Sequence, residues 1–165
     1  YVPQDVFLFS DTVRANIGFG QAEVAAQEVT NAARLACIDA EIRELSSGYD
    51  TIVGERGVML SGGQKQRITL ARALLRKLSL LILDDCLSAV DARTEQQITA
   101  GLQRFLQDKT AIIITHRIFS LLEFDKVFVL EQGRLVESGA PAALLASGGR
   151  YAEMYQRQQQ EQFTK

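Results

Sequence analysis

Residues 60–67 carry the spacing that points most clearly to chemistry, because they read Leu-Ser-Gly-Gly-Gln-Lys-Gln-Arg. Ser61 followed three residues later by Gln64 is a capping box, which predicts a helix that starts at Ser61. Gly62 and Gly63 leave backbone N–H groups uncovered in the first turn, and the helix dipole attracts anions to that end. Because each glycine costs about 0.8–1.0 kcal/mol in a helix relative to alanine, we interpret this turn as a phosphate-binding surface without a lysine. The alternative is a plain helix cap.

Two adjacent aspartates, Asp84 and Asp85, follow the apolar run at residues 80–83. Such a run is typical of a parallel strand covered on both faces, and ligands bind at the carboxyl ends of these strands. Two neighbouring buried carboxylates need a cation. A carboxylate at Asp84 can therefore hold a cation such as magnesium, and an ordinary capping or loop aspartate is the alternative.

His116, the only histidine, follows Thr115 after a second apolar run at residues 111–114. If the two runs pair as parallel strands, His116 lies at the same ligand edge as Asp84. A lone histidine after a strand is more often structural than catalytic. Position alone therefore leaves both readings open.

The predicted secondary structure that positions these residues changes along the chain from all-helical to mixed α/β. The first part is predicted to be helical, with helices at 12–17, 22–36 and about 39–45, an irregular loop at 51–60, and the helix that starts at Ser61. The second part is predicted to be α/β: strands 80–83 and 111–114 flank a crossover helix at 94–106, residues 127–130 and 135–136 form a hairpin, and residues 151–162 form a polar helix.

Composition excludes several classes of function. The 165 residues include 18 basic and 20 acidic side chains, so the net charge of −2 gives no broad electrostatic basis for binding nucleic acid. No apolar run approaches the roughly 18 residues that span a bilayer. Two cysteines do not make a disulfide framework. Since the chain begins with Tyr1 and its methionines are Met59 and Met154, we expect it to be a fragment.

Taken together, the motifs resemble the nucleotide-binding domain of ATP-binding-cassette (ABC) transporters over nearly the whole chain. Residues 60–64 match the signature motif, residues 80–84 Walker B, and residues 88–91 the D-loop, while Gln4 matches the Q-loop glutamine and His116 the switch histidine. Residues 7–13 and the loop at 54–57 look like the exporter branch. The full pattern, including residues 151–160, looks most like one half of the heterodimeric multidrug-like exporters.

This resemblance implies a partial P-loop NTPase core, of α/β class, with an inserted all-helical subdomain and without the N-terminal Walker A part. The implied boundaries are the end of a core strand and the Q-loop at 1–9, the helical subdomain at 10–77, the α/β core part at 78–148 and a C-terminal helix at 149–165. The chain has no Gly-Lys pair, which the phosphate-binding P-loop requires. We therefore expect the isolated chain neither to bind ATP tightly nor to hydrolyse it.

The resemblance also implies ATP and Mg²⁺ as cofactors and a role for each matching residue. Ser61, Gly62, Gly63 and Gln64 would act on nucleotide held by a second such domain in a head-to-tail dimer. Asp84 and Gln4 would contact the metal, Asp85 would activate the attacking water, and His116 would contact the γ-phosphate. Asp91 would cross the dimer interface, cap the helix that follows, or do both.

One departure from the family pattern concerns Asp85, where related sequences usually carry glutamate. Aspartate is shorter by one methylene, about 1.5 Å, so we expect slower hydrolysis with nucleotide binding retained, as in one weakened site of an asymmetric pair.

The resemblance also implies the partners of this domain. Residues 54–57 would contact the transmembrane domains of the same polypeptide, and a second nucleotide-binding domain would complete the dimer, with a heterodimer favoured. The domain would lie at the cytoplasmic face of the inner (plasma) membrane, and the transported cargo would be a hydrophobic or drug-like solute.

Two other functions remain open from the sequence. One is a non-catalytic half that binds ATP and supplies its signature motif to a competent partner, which Asp85 favours and His116 disfavours. The other is a soluble ABC ATPase, which residues 54–57 and the lack of a coiled-coil pattern disfavour.

Overall fold

The computed structural model describes residues 1–54, 57–118 and 122–163. The chain forms two compact units, Tyr1–Thr115 and His116–Lys165. In the first unit the strands and helices follow one another as β1 Asp11–Thr12, α1 Val13–Gly18, α2 Ala26–Leu35, α3 Asp39–Glu44, a 3-10 turn Gly48–Asp50, β2 Ile52–Val53, α4 Gly62–Leu74, β3 Leu80–Asp84, α5 Ala92–Phe105 and β4 Thr110–Ile114.

The helical part of the first unit packs its apolar faces into a shared core. Val13 and Ile17 of α1, Val29 of α2, Ile42 of α3 and Ile68 of α4 are all buried. Helices were predicted in these places and are confirmed, but the second begins at residue 26 and not at 22. The carboxylate of Glu28 accepts a hydrogen bond from the backbone N–H of Ala25, and this contact fixes the first turn.

Asn16 is a buried polar side chain that ties the segment before α1 to α4. Its Oδ1 accepts from the Phe9 N–H at 2.9 Å and from Arg72 Nη2 at 3.1 Å, while its Nδ2 donates to the carbonyls of Phe9, Asp11 and Thr12. The residue is fully excluded from solvent. Removal of the amide would break these five hydrogen bonds, which join partly buried groups.

We expect the substitution Asn16→Ala to lower the free energy of unfolding by about 3 kcal/mol, because it removes several partly buried hydrogen bonds and empties a fully buried side-chain position. Urea unfolding followed by circular dichroism measures this change. Asn31→Ala is the matched control, since the Asn31 amide is exposed and its contact with Gln27 lies on the surface. A loss for Asn16→Ala no larger than that of the control would contradict the assignment.

The strands β3 and β4 pair in parallel, with Leu80 opposite Thr110 and Asp84 opposite Ile114, and α5 connects them. The predicted βαβ unit is confirmed. Val2 forms a parallel bridge to Leu83 on the other side of β3. Within the described residues β3 is therefore an inner strand.

The prediction that both strands are covered on both faces is wrong for one face of the pair. Leu81 and Leu83 of β3 are buried, whereas Leu80 of β3 is 46% exposed and Ile112 and Ile114 of β4 are 48% and 51% exposed. Because side chains alternate along a strand and paired positions share a face, these three exposed residues lie on the same face, which the described residues leave partly open.

The second unit contains an antiparallel hairpin followed by two helices. Its elements are β5 Val127–Glu131, β6 Arg134–Gly139, α6 Pro141–Ser147 and α7 Arg150–Phe163. Val129, Leu144 and Tyr151 form its small buried cluster. The predicted hairpin and C-terminal helix are both confirmed.

Candidate functional site

The N-terminus of α4 has the capping box that the sequence predicts. The Gln64 N–H donates to Ser61 Oγ at 3.2 Å, and the Ser61 N–H donates to Gln64 Oε1 at 2.9 Å. Within the described residues, the N–H groups of Gly62 and Gly63 have no hydrogen-bond acceptor. Ser61 and Gly62 are exposed, so this turn offers a hydroxyl and an open backbone donor where the helix dipole favours an anion.

Gly63 has a packing role that the sequence interpretation missed. A Cβ atom at this position would lie 2.7 Å from the carbonyl oxygen of Ala89, which belongs to the D-loop. At Gly62 the nearest atom is the Ala89 Cβ at 3.5 Å, an ordinary contact. Close backbone packing therefore explains why position 63 is glycine. Packing does not explain the glycine at position 62, which we still interpret as part of the ligand-binding turn.

Gln66 joins α4 to the D-loop, residues 88–91, through both ends of its amide. Nε2 donates to Ser88 Oγ at 3.1 Å, and Oε1 accepts from the Ala89 N–H at 3.0 Å. Ser88 Oγ in turn donates to the Asp85 carbonyl at 3.0 Å. Sequence reasoning missed Gln66, although its spacing from Gly63 and Leu70 places it on the buried face of α4, where an amide needs a partner.

Glu41 of α3 receives hydrogen bonds from two residues of α4. Gln64 Nε2 donates to Oε2 at 2.9 Å, and Arg67 donates from Nη2 at 3.1 Å and also from Nη1. The Arg67 guanidinium, 9% exposed, reaches the carbonyls of Cys37 and Gly63 as well. Burial alone would raise the pKa of Glu41, but the hydrogen bonds and the charge of Arg67 hold this pKa below its ordinary value. Sequence reasoning also missed Glu41, and no motif marks it.

Asp84 and Asp85 lie where β3 ends, as predicted, and both are half-buried. The Asp84 carboxylate accepts from the Tyr1 hydroxyl at 2.8 Å, and this hydrogen bond raises the pKa of Tyr1. Asp85 has a φ of 43°, a left-handed conformation that aspartate adopts more readily than most residues. Its N–H donates to the Ile114 carbonyl at 2.8 Å. The turn therefore holds Asp85 by its backbone.

Gln4 comes two residues after Val2, which bridges to Leu83 in parallel. The Asp84 N–H donates to the Val2 carbonyl at 2.9 Å, so Gln4 follows a segment that runs beside β3 toward the edge where Asp84 lies. Gln4 is exposed there. The backbone thus brings Gln4 and Asp84 to one edge of the sheet.

The chemistry of this edge fits a magnesium ion that arrives with phosphates. Among the residues that the structure describes, no group of three or more His, Cys, Asp or Glu side chains is arranged to hold a metal. Mg²⁺ in nucleotide sites is usually held by one or two carboxylates together with substrate phosphates. Asp84 supplies one such carboxylate at this edge.

Asp91 caps α5, because its carboxylate accepts from the Thr94 N–H at 3.0 Å, and this hydrogen bond lowers the pKa of Asp91. His116 is exposed and is the first residue of the second unit. Its role at the nucleotide therefore stays a prediction.

Burial raises the pKa of the Cys86 thiol to about 12, which agrees with a structural role. In the exporter loop at 54–57, Glu55 and Arg56 lie outside the described residues.

Comparison with known proteins places these motifs in a family. The model of the ABC transporter family matches residues 1–88. The multidrug resistance-like ATP-binding protein MdlA of Escherichia coli (strain K12) is 50% identical over 160 residues, which is 97% of this chain and 27% of that protein. The ATP-dependent lipid A-core flippase of Legionella pneumophila (strain Paris) is 44% identical over 158 residues, which is 96% of this chain and 27% of that protein.

The fold is also that of a solved exporter. The ATP-bound structure of a bacterial Atm1-family ABC exporter superposes with a TM-score of 0.87 at 45% identity, covering 95% of this chain and 28% of the other. The chain thus spans about a quarter of the length of the relatives it matches. No helix among the described residues is long and apolar enough to cross a membrane. The resemblance drawn from the sequence is confirmed, and the chain belongs to the ABC transporter family with the fold of its nucleotide-binding domain.

Proposed function

We propose that this chain is the C-terminal part of the nucleotide-binding domain of an ABC exporter that couples ATP binding and hydrolysis to transport. The proposal rests on the N-terminal turn of α4, where Ser61 and Gly62 are exposed. Gln66 and Ser88 join this helix to the backbone carbonyl of Asp85, the residue after Asp84 at the end of β3. An anion-binding helix end coupled to a metal-binding sheet edge suits a nucleotide triphosphate. The similarity to MdlA and to the Atm1-family exporter supports the exporter branch.

In this proposal the two phosphate-contacting regions serve different nucleotides. Ser61, Gly62 and Gly63 act on the nucleotide bound by a second domain in a head-to-tail dimer, and Gln64 keeps their turn in shape. Asp84 and Gln4 hold Mg²⁺, which when bound would offset negative charge on the phosphates. Asp85 accepts the proton of the attacking water, His116 contacts the γ-phosphate, and Asp91 lies at the dimer interface while capping α5.

The rest of the transporter follows from the same proposal. The domain lies at the cytoplasmic face of the inner (plasma) membrane, its membrane partners belong to the same polypeptide, and the cargo is a hydrophobic or drug-like solute. A heterodimer is favoured over a homodimer. The helical subdomain comprises residues 10–77, inserted between the core strand and Q-loop at 1–9 and the core part at 78–148, with a C-terminal helix at 149–165.

The proposal is tested with the complete protein in lipid nanodiscs and with residues 1–165 alone. Phosphate release from Mg-ATP is expected from the complete protein and not from residues 1–165, which lack the Gly-Lys pair of a P-loop. Calorimetry of residues 1–165 is expected to show no micromolar ATP binding. A complete protein that neither binds nor hydrolyses ATP would refute the proposal.

Asp85 favours a second candidate, in which this half's own site hydrolyses slowly and the partner's site does most of the work. We expect Asp85→Glu in the complete protein to raise turnover by about fivefold, because the carboxylate advances by about 1.5 Å toward the attacking water. Single-turnover hydrolysis measures this change. The slow-site hypothesis fails if turnover is unchanged while the variant retains its melting temperature.

A further inference from the structure

Glu41 lies on α3, away from every sequence motif, yet it contacts the turn that is proposed to meet the nucleotide. We propose that Glu41 is a positioning residue: its carboxylate fixes the orientation of the N-terminal turn of α4, and so of Ser61 and Gly62. The inference rests on the proposed function of that turn. It assigns to Glu41 an effect on turnover that acts through Gln64 and Arg67.

The first step concerns the direction in which the Gln64 amide points. A carboxylate only accepts hydrogen bonds, so Glu41 binds the amide by its Nε2 end, at 2.9 Å. The Oε1 end is then turned toward the Ser61 N–H, from which it accepts at 2.9 Å. If the Gln64 amide were flipped, its NH2 group would face the Ser61 N–H, and both groups are donors. Glu41 therefore selects the amide orientation that the capping box needs.

The second step concerns Arg67, one turn further along α4. Its buried guanidinium is paired with Glu41 through both Nη atoms. Its Nε donates to the Gly63 carbonyl at 3.2 Å, inside the first turn. Glu41 thus holds that turn at two points, through the Gln64 side chain and through the Gly63 backbone.

The third step concerns the anchor on α3. Asp39 in the first turn of α3 accepts from Arg34 at 3.2 Å, from Arg43 at 2.9 Å and from the Tyr49 hydroxyl at 2.6 Å. Because these contacts tie α3 to neighbouring segments, Glu41 projects from a fixed support. The turn at Ser61 is therefore held against α3 and against the D-loop at once.

The test compares Glu41→Gln with Glu44→Gln in the complete protein in nanodiscs. Glutamine at position 41 offers one acceptor oxygen where glutamate offers two, so in either orientation its NH2 group faces a donor of Gln64 or Arg67. We expect kcat for Mg-ATP to fall about tenfold, with the Kd for ATP within twofold of wild type, because the affected turn meets nucleotide only in the closed dimer. Glu44 is exposed on the same helix, so Glu44→Gln is expected to keep the wild-type kcat.

A double-mutant cycle with Gln64→Ala separates positioning from general stability. Because Glu41 acts partly through Gln64 and partly through Arg67, Glu41→Gln is expected to slow the Gln64→Ala protein less than it slows the wild type, whereas independent losses would multiply. Should Glu41→Gln not fold, Glu41→Asp carries the test, since the shorter side chain cannot reach both α4 residues and should lower kcat at unchanged Kd.

Three outcomes decide the matter. Wild-type kcat in Glu41→Gln or Glu41→Asp would overturn this inference while the proposed function stands. Multiplicative losses in the cycle would do the same. A wild-type complete protein without ATP binding or hydrolysis would refute the proposed function, and this inference with it.

Discussion

Gly63→Ala in the complete protein is expected to lower Mg-ATP turnover by about 100-fold, the scale of effect that a misplacement of about 1 Å produces in a reacting site. The new Cβ would lie 2.7 Å from the Ala89 carbonyl oxygen. That neighbour is backbone, so either the start of α4 or the D-loop must move. Both are proposed to line the nucleotide at the dimer interface, so movement of either one misplaces groups that act on it.

Gly62→Ala is the matched control for the packing part of this prediction. At Gly62 a Cβ meets only the Ala89 methyl at 3.5 Å, so the fold accepts it, and alanine raises helix propensity by about 1 kcal/mol. We expect Gly62→Ala to keep or raise the melting temperature and Gly63→Ala to lower it. Wild-type turnover and melting temperature in Gly63→Ala would contradict the assigned packing role.

Asp84→Asn is expected to reduce Mg-ATP hydrolysis by on the order of 1,000-fold, because a neutral amide replaces the carboxylate that is proposed to hold the metal. The fold should survive, since the amide oxygen still accepts the hydrogen bond from the Tyr1 hydroxyl. Phosphate release at several Mg²⁺ concentrations measures the loss. A higher Mg²⁺ requirement would accompany it.

Asp108→Asn removes an exposed carboxylate of the same unit and is the control for Asp84→Asn. We expect it to leave hydrolysis and the Mg²⁺ requirement unchanged. Equal activity of Asp84→Asn and Asp108→Asn would remove Asp84 from the metal site.

The sequence predicts the parts of this site whose signals are local. The Ser61 and Gln64 capping box depends on residues one turn apart, and the apolar runs of β3 and β4 predict a parallel pair because few other structures accept them. Both are found in the structure. Asp84 and Asp85 directly follow the apolar run of β3 in the sequence, so their position at the end of the strand is predicted with it.

The parts that the sequence does not predict depend on contacts between segments that are distant along the chain. Gly63 meets Ala89, Gln66 meets Ser88, and Glu41 meets Arg67 across 26 positions. Helical spacing shows that Gln66 and Arg67 face inward, and burial requires partners for them. Only the fold shows which partners they have.

The exposed face of the β3 and β4 pair has a similar origin. Residues 80–83 and 111–114 are both continuous apolar runs, so periodicity predicts that both faces of each strand are covered. Whether a face is covered depends on segments that pack on it from elsewhere in the fold, and Leu80, Ile112 and Ile114 lack full cover among the described residues.

Vanadate-directed photocleavage tests the central claim, that the turn at Ser61 lies against the terminal phosphate of bound nucleotide, most directly. Orthovanadate takes the place of the γ-phosphate after turnover, and ultraviolet light then cleaves backbone next to a serine that contacts it. In the complete protein, mass spectrometry is predicted to find Mg-ATP-dependent cleavage at Ser61. Vanadate inhibition with cleavage elsewhere and none at Ser61 would contradict the claim.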